Sequence, residues 1–296
     1  MMSESYKEQY RCMGSWRCSW GGCSLEEAHG ICLDAGGELI VSDSRGGKVV
    51  RFSREGEYLG EVSGDPEVEA FFKGPRDVRV DGEGRIVILD GDRCRLSVHD
   101  PDGSYLWSWG KPGSGPGQML RPHSLDLFED MVYVVDVDNS RVNVHNIDGT
   151  FDRSWGQRGT GPGEFLDPHG IACDPNGDIF VAEYEGRCQK FDSRDQPVLS
   201  FANPSPPGTN THGYMRYHAM TSDTEGDIYL LARDTRRGYA SSIDKYTNDG
   251  VQVARIEFGP EDGLVIGAQA AVDGDGVIFV GDTDRKTPGV SIFEPI

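Results

Sequence analysis

Gly115-Pro116-Gly117-Gln118-Met119-Leu120-Arg121-Pro122-His123-Ser124-Leu125-Asp126-Leu127 returns, one unit later, as Gly161-Pro162-Gly163-Glu164-Phe165-Leu166-Asp167-Pro168-His169-Gly170-Ile171-Ala172-Cys173. The second half of this stretch, a polar residue followed by a short apolar run, recurs along the chain. It appears as Ala28-His29-Gly30-Ile31-Cys32-Leu33, Pro75-Arg76-Asp77-Val78-Arg79-Val80, Tyr217-His218-Ala219-Met220-Thr221-Ser222 and Gly267-Ala268-Gln269-Ala270-Ala271-Val272. Six units thus repeat at a period near 47 residues. A fixed period in that range marks a chain built from stacked copies of one supersecondary unit.

Each unit reads as a run of short strands. Five of the six opening strands end in Asp, as at Asp174-Pro175-Asn176-Gly177 and Asp273-Gly274-Asp275-Gly276, and Asp/Gly turns reverse the chain into a hairpin. Second strands such as Ile86-Val87-Ile88-Leu89 and Val132-Tyr133-Val134-Val135 are apolar and β-branched, as strands buried on both faces are. Fourth strands carry an aromatic signature, Trp107-Ser108-Trp109-Gly110 and Arg153-Ser154-Trp155-Gly156. The pattern predicts an all-β protein, a six-bladed β-propeller spanning residues 1–296 as one unit. The sixth unit stops after its third strand, Val290-Ser291-Ile292-Phe293, and residues 10–16 match the fourth-strand pattern. The N-terminal strand is therefore expected to complete the last blade and remove the open edges.

Composition agrees with this class and narrows the partners. Forty glycines and sixteen prolines in 296 residues suit many strands and tight turns. A net charge of −20 argues against nucleic acid, since phosphate binding requires clustered Lys and Arg. The start has no basic segment followed by an apolar one, and no run is long enough to span a bilayer, so a soluble, cytoplasmic protein is expected. Seven cysteines show no paired CxxC sets. Cys32 and Cys173 read as core residues and free thiols are expected, although Cys12, Cys18 and Cys23 lie near enough in sequence to pair. Oligomeric state is left open.

The residue that opens each inner strand carries the chemistry. In order these are His29, Arg76, His123, His169, His218 and Ala268, so four of the seven histidines fall on six equivalent positions. Equivalent positions on successive blades of a six-fold ring lie about 60° apart around the channel. His29, His123 and His218, on alternate blades, therefore converge from three directions, an arrangement that suits a divalent metal, zinc favoured, with one coordination place left over. Neutral imidazoles lining a wet channel are the alternative. His169 reads as either a fourth ligand or a proton carrier. Arg76 presents a fork suited to a carboxylate or carbonyl oxygen, or pairs with Asp77 or another channel acid.

Second strands return to the same mouth, which places Asp43, Asp90, Asp136, Glu183 and Asp282 beside the ring, where orienting imidazoles or holding loop amides is expected. Tyr184, Arg233 and the pair Arg236-Arg237 follow them at the mouth.

The Gly115-to-Leu125 motif and its partner at Gly161-to-His169 resemble the NHL-repeat family across essentially the whole chain. Within it, the third unit is most similar to the peptidyl-α-hydroxyglycine α-amidating lyase domain. That resemblance implies a six-bladed propeller with zinc held by His29, His123 and His218. The chain departs from it where reacting groups are expected. The loop Asp90-Gly91-Asp92-Arg93-Cys94 has no tyrosine base, Val137 stands for an arginine and Ala219 for a calcium-binding Asp. Tyr184 is the substitute candidate. A metal-dependent lyase acting on a small carboxylate- or hydroxyl-bearing substrate is expected, with a hydrolase such as a lactonase, and a non-catalytic protein-interaction propeller, as alternatives.

Overall fold

A computed structural model describes residues 9–17, 23–64, 72–202, 215–234, 240–258, 267–283 and 288–296. These residues form six four-stranded antiparallel sheets. Blade one, for example, runs Ala28–Leu33, Leu39–Asp43, Lys48–Phe52 and Tyr58–Val62. The inner strands that follow are Pro75–Val80, Pro122–Phe128, Pro168–Cys173, Met215–Ser222 and Gly267–Val272. Each inner strand packs on the next and the sixth on the first, which closes the ring. The last blade has the order Tyr10–Arg17, Gly289–Pro295, Ile278–Asp282, Gly267–Val272, so the N-terminal strand completes it as expected. It pairs from Tyr10 opposite Pro295 to Arg17 opposite Gly289.

The core is six apolar clusters, one in each space between blades. Val41, Val50 and Phe52 of blade one meet Val277, Phe279 and Val290 of blade six, and Val135, Val142 and Val144 of blade three meet Ile171, Val181 and Phe191 of blade four. Continuous apolar second strands make this possible, because both their faces are covered. Close approach at the centre demands small residues. A Cβ on Gly30 would lie 2.7 Å from Asp77 Cα and 2.8 Å from the Arg76 carbonyl, so the residue after His29 must be glycine for blades one and two to touch.

The inner strands share one irregularity. Pairing with the second strand shifts between Ala28 and Ile31, Pro75 and Asp77, Pro122 and Leu125, Pro168 and Gly170, Tyr217 and Ala219, and Gly267 and Ala270. Every break falls on the ring residue. A β-bulge leaves one residue out of the ladder and re-aims its side chain. Four of the six positions, His29, His123, His169 and His218, meet one another through their rings.

Candidate functional site

His29, His123 and His218 come together as the alternate-blade spacing predicts. Their ring centroids lie 5.3 Å (His29–His123), 5.7 Å (His29–His218) and 4.8 Å (His123–His218) apart, and one nitrogen from each lies within 4.8 Å of the others. His29 Nδ1 donates to the Arg76 carbonyl at 2.8 Å, and His123 Nδ1 to the His169 carbonyl at 3.3 Å. Because a carbonyl can only accept, each Nδ1 bears the proton and each lone pair sits on Nε2. His218 Nδ1 makes no such hydrogen bond. For His29 and His123 the acceptor is the ring residue of the following blade.

Burial keeps these imidazoles neutral. It pushes His29 down to about 4, helped by the charge on Arg76, and drives His123 and His218 well below the ordinary value, with neighbouring imidazoles and Arg233 adding to the effect. Neutral imidazole is the metal-binding form, so the donor set fits a borderline-soft divalent ion.

His169 is different. Its ring is 4.5 Å from His123 and 5.7 Å from His218, yet it contributes no nitrogen to the three-His set. Its Nδ1 donates instead to the Asp167 carbonyl of its own blade at 3.1 Å. Tyr184 lies against it, with ring centroids 4.8 Å apart and planes tilted 31°. The Arg216 guanidinium covers the Tyr184 ring at 4.8 Å and bonds Glu185 at 3.1 Å.

Arg76 stands at the ring between His29 and His123 and reaches Asp92 at 3.4 Å with a third of its side chain exposed. Of the alternative pairings, Asp77 is not the partner, because its carboxylate binds Arg79 at 2.6 Å, and the acid that Arg76 meets is Asp92. Arg233 donates to the Gly267 carbonyl at 3.0 Å, beside Ala268, and its charge is felt at His29, His169 and His218. A guanidinium from blade five thus lies next to the one ring position that offers no polar side chain. Arg236 and Arg237 lie outside the described residues.

The carboxylates at the mouth hold loops. Asp43 accepts from the amides of Glu26 and Glu27, Asp90 from Lys73 and Gly74, Asp136 from Leu120 and Glu183 from Leu166, all in the segments leading into the ring residues. None belongs to the three-His set. Further along the inner strands, a buried layer underlies the imidazoles. Asp77 accepts from Ser124 Oγ at 2.7 Å, the Leu125 amide at 3.0 Å and Arg79, while Arg79 also binds Asp126 at 3.0 Å. Among the described cysteines Cys12, Cys23, Cys32 and Cys173 are free thiols, and Cys18 lies outside the described residues.

The fold and ring define a class, a six-bladed propeller with a histidine-lined channel, and the comparisons agree on the fold. A family model described as a 6-bladed beta-propeller matches residues 118–197. The curated proteins include no sequence match. A solved streptogramin B lyase structure is similar over 99% of this chain and 100% of its own, with TM-score 0.67 and 12% identity. A virginiamycin B lyase from Staphylococcus aureus aligns over 93% of this chain and 82% of its own, with TM-score 0.60 and 10% identity. A gluconolactonase from Xanthomonas campestris aligns over 92% and 87%, with TM-score 0.64 and 15% identity. These are lyases of another kind and a lactonase, so the NHL and amidating-lyase likeness remains one of motifs. Among the described residues no helix is long and apolar enough to cross a membrane.

Proposed function

We propose that this chain is a metal-dependent enzyme, a lyase in first place, in which His29, His123 and His218 hold one divalent ion, zinc favoured. The observation that carries the reading is the convergence of three neutral imidazoles from alternate blades, His29 and His123 buried and His218 half-buried, with their nitrogens within 4.8 Å. Such an ion supplies Lewis acidity when bound. The rest of the work falls to the chain's own groups. Arg76 binds an anionic or carbonyl oxygen of a small substrate, and Arg233 adds positive charge on the other side of His29. His169 moves a proton, its Nδ1–H fixed on the Asp167 carbonyl so that Nε2 is the basic atom. Tyr184, stacked on His169, borders the path of entry.

A lactonase is the second reading, favoured by the gluconolactonase likeness at a TM-score close to that of the lyase. The two differ in whether water enters the product. The protein is incubated with gluconolactone and with a streptogramin B-type cyclic ester, and products are weighed by mass spectrometry with and without a chelator. A chelator-sensitive product of unchanged mass supports the lyase, and one heavier by a water supports the lactonase. Conversion that persists unchanged in fully chelated protein would contradict metal dependence.

A further inference from the structure

We propose that His169 is held out of the metal-ligand set by a frame of Asp167, Tyr184 and Arg216, and that Arg216 is a positioning residue that keeps the fourth coordination place open. The inference rests on the reading that His29, His123 and His218 hold the ion. Distance alone does not exclude His169, whose ring lies nearer His123, at 4.5 Å, than His29 does, at 5.3 Å. Orientation does. His29 and His123 are tied to a carbonyl of the following blade, whereas His169 is tied to Asp167 two residues before it.

That carbonyl is itself fixed, because it also accepts the Tyr184 amide at 2.9 Å, and the Asp167 carboxylate is bound by Arg121 at 2.9 Å. The hydrogen bond sets one edge of the imidazole and the Tyr184 ring covers its face. Arg216 lies over Tyr184, an arrangement in which the cation is attracted to the ring face, and Glu185 holds the guanidinium there. The stack Arg216–Tyr184–His169 therefore resists the rotation that would bring a His169 nitrogen to the ion. A fourth imidazole would close a tetrahedral site of the structural kind, while three leave room for substrate.

Cobalt(II) is the probe, added to metal-stripped full-length protein, with thiocyanate as a reporter of an open place through the visible spectrum. Wild type should bind one cobalt and respond to thiocyanate. Arg216→Ala and Tyr184→Ala should each release His169, tightening cobalt by about tenfold or more and abolishing the thiocyanate response. Arg216→Lys, which still places a cation over the ring, should behave as wild type. Adding His169→Ala to Arg216→Ala should restore wild-type affinity, an outcome that a merely structural role for Arg216 would not give. Wild-type affinity and thiocyanate response in both Arg216→Ala and Tyr184→Ala would overturn the frame while leaving the three-His site standing. A wild-type protein that takes up no cobalt would overturn both.

Discussion

Replacing Asp77 by alanine tests whether the buried layer beneath the ring holds the inner strands together. Asp77 is 1% exposed, and its carboxylate accepts from Arg79 at 2.6 Å, the Val78 amide at 2.9 Å, Ser124 Oγ at 2.7 Å and the Leu125 amide at 3.0 Å. The last two belong to blade three. Asp77→Ala leaves the buried Arg79 with Asp126 as its one remaining carboxylate among the described residues and orphans the Leu125 amide. Removing one partner of a buried, hydrogen-bonded ion pair costs about 3–5 kcal/mol. At roughly 2 °C per kcal/mol for a chain this long, the melting temperature should fall by about 6–10 °C. Because Ser124 and Leu125 directly follow His123, metal affinity should also fall, by about tenfold or more. Calorimetry and urea denaturation of metal-free protein measure the first effect, and a competitive chelator titration the second. A melting temperature within about 2 °C of wild type would refute the reasoning, since the layer would then bear little of the contact between blades two and three.

Other outcomes follow from the same structure. His145 is 1% exposed, and burial pushes it down to about 4 from an ordinary 6.5, so the unfolded chain binds the extra proton between those values. Its contribution to stability is full above pH 6.5 and is lost as pH falls toward 4, to a limit of about 3 kcal/mol. Urea midpoints of metal-free protein should decline less over this window in His145→Leu than in wild type, and an unchanged decline would contradict the assignment. Deleting residues 1–17 removes the strand paired along Gly289–Pro295, together with Tyr10 and Cys12, which pack on the core between blades five and six. Thermal melting should drop sharply, and an unchanged transition would show that closure does not depend on that strand. His169→Ala should keep the metal while slowing turnover by about a hundred- to ten-thousand-fold once a substrate is in hand. Loss of metal instead would make His169 a ligand.

The repeat made the blade number and the membership of the ring legible, because an inner strand must open at the same place in every unit. His29, His123 and His218 met where a six-fold ring puts alternate positions. The sequence had them converge on the channel but was silent on the backbone irregularity found at each of them. A bulge at each ring residue is a matter of pairing register, and register is set by the partner strand as much as by the bulged one. Adjacency in the chain had offered Asp77 as a partner for Arg76, and Asp77 binds Arg79 instead. Arg216 was missed for a related reason. It lies two residues before His218, outside the repeated ring position, and meets Tyr184 from another blade. The mouth carboxylates were placed correctly because hairpin geometry alone returns them to that end. Their choice of loop amides over imidazoles depends on where the preceding loops fold back.

The most direct test is the metal content of untagged protein purified without added metal, set beside His29→Ala, His123→Ala and His218→Ala. Wild type should carry close to one divalent ion per chain, zinc foremost, and each variant should lose most of it, because two imidazoles make a poor site. Full occupancy in all three variants, or a folded wild type that neither carries nor takes up a stoichiometric ion, would contradict the account.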